Sequence, residues 1–330
     1  MAASLAALAP ETLRPRNAVP AHIAGRFRDA AAFQQARTGQ YFVFDRRAHV
    51  VYGLDEDLTS AWEIVHIGGE PGRILDPTAF AVGPEGTFVV ADAPERRERI
   101  QIFTPTGFRT GGFLLPQRLR PRITFENTVL NGIASLQFTG SRIYLSQPEL
   151  GAVITEYASD GAVARSFGTL RHTGHEDDDA VHAALNSGFP LIDPAGGFFF
   201  VFQAGEPLFR KYDVDGSLVF ERRIQGREID DAIARLPTKW PRRQTDEGLV
   251  PIVPPTIRAA AVDPRGNLWI TFVQPYTYVF DGDGDKIRVL QFQAAGTVTP
   301  RSLFFAHDGR LLVTPGLTVF DPQPEGPRDQ

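Results

Sequence analysis

Arg96, Arg97 and Arg99 stand almost side by side, just past the apolar run Phe88–Asp92. A guanidinium carries its donors in a fixed fork, and its chemistry is the paired recognition of carboxylates and phosphates. Three carboxamides, Gln147, Gln203 and Gln274, recur at the ends of comparable apolar runs, with Tyr276 just behind the last. Trp240 lies in "PTKWPRRQTDEG", a stretch with no pattern that would bury it. These residues form the candidate ligand-binding set: arginines for an anionic group, carboxamides for orientation, and Trp240 and Tyr276 as apolar anchors. The competing reading is that the polar members satisfy loose backbone groups where strands splay.

His172, His175 and His182 lie close together in "RHTGHEDDDAVHAALN", and histidine is a zinc ligand. All three share one loop, and no HExxH helical pair is present. Glu176–Asp179 stand where a helix would begin, an arrangement the helix dipole favours without a metal. The reading of these candidates is negative: no metal and no cofactor are expected. "DGDGDKIRVLQF" has the alternating aspartates of a calcium loop, but Lys286 stands where that loop needs glycine and Phe292 where it needs a bidentate glutamate. A hairpin turn fits it instead. Arg118, Arg120 and Arg122 alternate, so they share one face of an extended segment, as a solvated surface or an anion contact. No Gly-x-Ser-x-Gly elbow, phosphate loop or dinucleotide fingerprint occurs.

The elements that must position these residues repeat. "RIQIFTPTG", "VITEYASDG", "LFRKYDVDG" and "YTYVFDGDG" each place an aromatic (Phe103, Tyr157, Tyr212, Phe280) four positions before a glycine. Leu54 and Phe320 mark two copies without the glycine. Before each copy comes a strand, a tight turn and a strand, as in "TAFAVGPEGTFVVAD" and "IRAAAVDPRGNLWITFVQ"; after most comes a fourth strand. Six such units fill the chain from about Ala30 to Pro322. The sixth lacks its fourth strand, which leaves unpaired backbone groups on one edge. "AHIAGRF" (Ala21–Phe27) is expected to supply it and close the ring. The fold class is all-β: a six-bladed β-propeller of four-stranded antiparallel blades, closed by an N-terminal strand. Residues 1–20 and 324–330 are expected as tails flanking a propeller over 21–323.

Bulk composition narrows the partners. The 330-residue chain has a formal net charge of −5, which argues against nucleic acid, and no apolar run long enough for a membrane span. It has no cysteine, which excludes disulfides and thiolate sites. That is compatible with export, so a periplasmic or extracellular site is expected, with the cytoplasm as the alternative. "MAASLAALAP" reads either as the remnant of a trimmed signal peptide or as a disordered tail. Arginine far outnumbers lysine, a bias of GC-rich bacterial genomes.

"PTAFAVGPEGTFVVAD" followed by "RIQIF" resembles an NHL repeat, and "TIRAAAVDPRGNLWIT" and "LNGIASL" match in part. The chain is thus similar to the six-bladed NHL-like propeller superfamily along nearly its whole length. That resemblance implies the propeller fold. It leaves function open, because the superfamily includes enzymes, ligand binders and protein- or RNA-binding scaffolds. Asn131 in "LNGIA" resembles a metal-ligand position of gluconolactonase-type propellers, without an identifiable matching Glu and Asp. The leading expectation is a non-catalytic scaffold that binds an anionic small molecule or an acidic protein surface at the loop-rich mouth of the channel. The alternative is a metal-assisted hydrolase or lyase at the same mouth. Both long insertions, 171–188 and 227–255, are expected to crowd that mouth, and the opposite face to be too bare for a ligand.

Overall fold

The computed structural model describes residues 8–116, 122–125, 128–131, 133, 135–245 and 248–323. Within them, six blades of four antiparallel strands follow one another, the fifth extended to a six-stranded sheet by Glu11–Leu13 and Thr297–Val298. Blade one is Ala30–Gln35, Tyr41–Asp45, Val50–Leu54 and Ala61–Val65; blade two is Ala79–Val82, Phe88–Asp92, Arg99–Phe103 and Arg109–Leu114. Blade three is Leu136–Phe138, Arg142–Gln147, Ala152–Ala158 and Val163–Phe167; blade four is Gly188–Ile192, Phe198–Phe202, Leu208–Tyr212 and Leu218–Arg223. Blade five is Ile257–Val262, Leu268–Phe272, Thr277–Phe280 and Lys286–Gln293. Blade six takes three strands from the C-terminal end, Ser302–Phe305, Leu311–Thr314 and Thr318–Phe320. The innermost strand of each blade touches that of the next, and blade six touches blade one, so the ring is closed. No helix among the described residues is long and apolar enough to cross a membrane.

The core is divided among the blade interfaces. Six apolar clusters of described residues lie one between each pair of neighbouring blades, such as Phe44, Ile64, Phe80 and Phe103 between blades one and two. This explains the repeated aromatic and glycine. Phe103, Tyr157, Tyr212 and Phe280 are buried third-strand residues. The outer strand of the preceding blade packs on them, as Phe113 stacks on Tyr157 at 5.3 Å and Phe167 meets Tyr212 at 5.6 Å. The glycine four residues on turns the chain with φ near +90° at Gly107, Gly161 and Gly216. A Cβ there would run into Ile64, Phe113 or Phe167 of the preceding blade. In blade one the same turn position is Leu58, held at φ 59° and buried between blades one and six.

The closing strand differs from the expectation. Ala21–Ala24 is a short helix, with Ile23 buried against blades one and six. The outer strand of blade six is Pro15–Ala18, antiparallel to Thr318–Phe320, inside the stretch expected as a tail. Just before it, Glu11–Leu13 adds a parallel fifth strand to Lys286–Gln293 of blade five. Leu13 is buried there, and Glu11 pairs with Arg288 at 2.7 Å. Pro15 hid this strand from a reading of the sequence, because proline has no N–H to donate. On an edge that loss is tolerated.

Candidate ligand site at the loop-rich mouth

Second strands end, and blade-to-blade connections begin, on one face of the ring. Asp45 and Asp92 end the second strands of blades one and two, and both are buried. Asp45 accepts from the backbone N–H of Arg28 (2.6 Å), Asp29 (3.0 Å) and Ala48 (2.9 Å). Asp92 accepts from Leu75 N–H at 3.0 Å and from Arg99 through both oxygens, 2.8 Å each. Arg99 also donates to the carbonyls of Gly69 and Arg73. These carboxylates pin each connection to its blade, and the fork of Arg99 is occupied internally.

Arg96 and Arg97 follow Asp92 on the same lip. Both are exposed in the turn Pro94–Arg96 and just after it. Glu95 (φ 52°) and Arg96 (φ 63°) hold left-handed backbone in succession, a conformation that disfavours L-residues. The corresponding turn of blade three, Pro148–Leu150, starts with the same Pro-Glu pair and uses Gly151 (φ 85°) as its left-handed residue. Nearby, His49 (φ 57°) and Asp76 (φ 50°) are also left-handed, with Nε2 and Oδ1 3.8 Å apart. Their only sequence signal is that no glycine stands where the turn requires positive φ.

Gln147 and Gln203 are buried beneath the mouth. Gln147 Oε1 accepts from the Tyr157 hydroxyl at 2.7 Å. The main chain of Gln203 donates to Ser187 O and accepts from Thr256 and Ile257 N–H. Gln274 is half-buried, and its carbonyl accepts from Tyr276 N–H at 2.7 Å; Tyr276 packs on the cluster between blades four and five. Trp240 is half-buried against Val181, Ala184, Leu185, Ala204 and Val253. The candidates therefore do not converge. Arg96 and Arg97 belong to blade two, Trp240 packs on the first insertion's helix at the mouth end of blade four, and Tyr276 belongs to blade five, which faces blade two across the ring.

The two insertions meet each other. The helix Asp179–Asn186 touches the turn Pro148–Leu150 and the strands Arg122–Phe125 and Gly248–Pro251, and Asp178 pairs with Arg242. Arg171 anchors the first insertion through the carbonyls of Leu185, Ala204 and Glu206 and lies over the Phe202 ring at 4.5 Å. Burial, helped by the neighbouring Arg210, pushes its guanidinium down to about 10. The second helix, Arg227–Ala234, buries Ile229 against blades four and five, and Glu228 accepts from the Tyr278 hydroxyl at 2.5 Å. That helix packs on the ring, while Trp240 and the strands Arg242–Thr245 and Gly248–Pro251 continue the insertion.

His172 is exposed, with Nδ1 3.6 Å from Glu176, and His182 Nδ1 bonds Thr173 Oγ1 at 2.7 Å. Glu176 accepts from the N–H of Thr173 and Gly174, and these bonds hold its carboxyl down to about 2. Among the described residues no three His, Cys, Asp or Glu side chains converge as metal ligands. Asp281 caps its own turn, accepting from the N–H of Asp283 and Asp285. Arg118 and Arg120 lie outside the described residues. The face of tight turns is not bare: a cavity of about 530 Å³ lies beside the blade-six turn, lined by Arg16, Asn17, Asp308, Arg310 and Asp321. Its charges oppose one another, Arg310 with Asp308 and Arg16 with Asp321.

No protein-family model matches the sequence, and no curated protein sequence does. Solved structures share the fold. Regucalcin, a calcium-binding protein of Agrobacterium tumefaciens, aligns with TM-score 0.53 and 14% identity over 96% of this chain and 96% of that one. Virginiamycin B lyase of Staphylococcus aureus aligns with TM-score 0.51 and 11% identity over 86% of this chain and 76% of that one. A streptogramin B lyase aligns with TM-score 0.48 and 15% identity over 88% and 93%. At such identities the likeness is one of fold. The chain is a six-bladed propeller, an architecture that serves enzymes and binding proteins alike.

Proposed function

We propose that this propeller, of NHL-like type, is a non-catalytic binding scaffold whose ligand docks at the loop-rich mouth on the lip of blade two. The ligand class is anionic: a carboxylate- or phosphate-bearing small molecule, recognised by Arg96 and Arg97. The carrying observation is the consecutive left-handed backbone at Glu95 and Arg96, on a turn fastened from below by the Asp92–Arg99 pair. Backbone strain of this kind persists where surrounding structure over-determines it, and it concentrates at ligand clamps. Arg99 serves as the fastening rather than as a ligand contact.

The test is calorimetric titration with pyrophosphate, citrate and other polyanions. Replacing Arg96 and Arg97 together by alanine is expected to abolish binding and its salt dependence. Arg37→Ala, an exposed arginine on the tight-turn face, is expected to leave both unchanged. Equal loss in both variants, or none in either, would overturn the assignment.

A further inference from the structure

In four blades the residue just after the third strand is an aspartate: Asp55, Asp213, Asp281 and Asp321. Three of them fasten the turn that carries the chain into the outer strand. Asp55 accepts from the N–H of Thr59 (2.7 Å) and Ser60 (3.1 Å). Asp213 accepts from Asp215 (3.0 Å) and Ser217 (2.8 Å), and Asp281 from Asp283 (3.1 Å) and Asp285 (2.9 Å). In each case the second donor is the residue immediately before the outer strand. Blade six has no such turn. Its outer strand, Pro15–Ala18, arrives from Glu11–Leu13 on blade five and opens with a residue that has no N–H. Among the described residues, Asp321 keeps only the first donor, the N–H of Gln323 at 3.2 Å.

The cavity of about 530 Å³ lies at this break, with Arg16, Asn17, Asp321 and Gln323 among its lining residues. One wall is fixed. Arg310 is held by Asp308 and donates to the Tyr41 hydroxyl at 3.0 Å and to Gln35 Oε1 at 3.3 Å. The other wall has unused capacity. Arg16 stands at the register shift between Pro15 and Asn17. Its guanidinium makes no hydrogen bond among the described residues and stops 4.0 Å from Asp321 Oδ2. A carboxylate short of a donor and a guanidinium short of an acceptor thus stand together at a cavity large enough for a small molecule.

We propose that this cavity is a second ligand site and that its ligand is a zwitterion, a free α-amino acid. The ammonium donates to Asp321, where the other aspartates take their second N–H, and the carboxylate accepts from Arg16. Charges then alternate around a closed ring of Asp321, ammonium, carboxylate and Arg16. A simple anion would meet Asp308 and Asp321, and a simple cation would meet Arg16 and Arg310, so the lining favours a ligand that carries both signs. The carboxamides of Asn17 and Gln323 line the same cavity and suit a polar side chain. The site is separate from the mouth, on the opposite face of the ring.

The probe is L-glutamine, titrated at low salt and followed by ligand-detected NMR. Its N-acetyl derivative lacks the ammonium, and its α-amide lacks the carboxylate. L-glutamine is expected to bind and to weaken with salt. Each derivative, and each of Arg16→Gln and Asp321→Asn, removes one charged hydrogen bond and is expected to weaken binding about tenfold or more. Both side chains are largely exposed, at 67% and 55%, so the variants should unfold at the wild-type temperature, which verifies their fold. Replacing Arg96 and Arg97 by alanine is expected to leave this binding unchanged, so the two sites are tested separately. Absence of binding, or indifference to either variant, would overturn the proposal. A derivative that binds as well as L-glutamine would show a site for one charge only and overturn it too. Binding seen only after removal of residues 324–330 would assign the cavity to the chain's own C-terminal segment, with the same result.

Discussion

The two faces of the ring solve the same backbone problem with different residues. On the tight-turn face, the left-handed position after each third strand is Gly107, Gly161, Gly216 or Gly284. There the preceding blade leaves no room for a side chain. Leu58 departs from this rule, and its side chain is buried in the seam between the first and last blades. On the mouth, His49, Asp76, Glu95, Arg96 and Leu317 take positive φ, with side chains. An L-residue there costs about 1–2 kcal/mol. One face is thus ruled by how closely blades pack. The other carries side chains at these left-handed positions, exposed at Glu95 and Arg96 and buried at Leu317, and it has the buried carboxylates of Asp45 and Asp92 beneath it to hold the shape.

The largest test separates framework from display within the mouth. Arg99→Ala would leave Asp92 buried without its bidentate partner and the Gly69 carbonyl without the Arg99 donor, while the Arg73 carbonyl keeps only Gln101. Breaking such a pair costs about 3–5 kcal/mol. Arg97→Ala, at an exposed position, is expected to stay within about 0.5 kcal/mol of wild type. Urea unfolding midpoints compare the two. Similar values would erase the division between fastening and displayed arginines.

The second test compares two glycines of like φ. A Cβ at Gly107 meets the Ile64 backbone, whereas one at Gly151 on the mouth meets nothing within 4 Å. Gly107→Ala combines the left-handed cost with overpacking, roughly 2–4 kcal/mol. Gly151→Ala carries the left-handed cost alone, about 1 kcal/mol. If the two variants melt alike, crowding does not explain the glycines of the tight-turn face.

What was legible in the sequence follows the same line. The aromatic and its glycine could be read because packing between blades demands the same pair at successive turns. The closing strand could not: Pro15 breaks the apparent strand, and its partner Thr318–Phe320 lies about 300 residues away. The role of Arg99 was hidden because its carbonyl partners, Gly69 and Arg73, sit in a connection whose fold local spacing does not encode. The glutamines looked like a rim because strands end there, but Gln147 and Gln203 are buried, Gln147 on the Tyr157 hydroxyl, and Gln274 is half-buried. Strain at Glu95 and Arg96 has no residue signature, since their sequence resembles the glycine-closed turn at Pro148 up to the residue that differs.

A third test concerns the insertion that packs on the ring. Tyr278→Phe removes the hydroxyl donor to Glu228 and is expected to cost about 1–2 kcal/mol at neutral pH. Burial pushes the Glu228 carboxyl up, but the Tyr278 hydroxyl, the helix N–H, Lys286 and Arg227 outweigh it and hold it below the ordinary range. A depressed carboxyl contributes stability above its unfolded value, about 4.3, and loses it as pH falls through the folded value. The gap between wild type and Tyr278→Phe should therefore narrow as pH falls below the unfolded value of about 4.3. Amide exchange over Arg227–Ala234 at neutral pH and in acid reads it. A gap that widens in acid would show that the helix is held by other contacts.

The smallest effect on stability falls on the blade-two lip. Glu95→Gly relieves the left-handed cost at that residue, about 1 kcal/mol, while freeing the unfolded chain by a similar amount. Its thermal midpoint should barely move. Binding should move, because a flexible turn must be ordered each time it takes an anion, and that ordering costs affinity. The polyanions held by Arg96 and Arg97 are expected to bind several-fold more weakly, with faster dissociation and unchanged salt dependence, since both arginines remain. A variant as stable as wild type that also binds as tightly would show that the strained turn presents nothing. The mouth's left-handed residues would then be no different in purpose from the glycines on the opposite face.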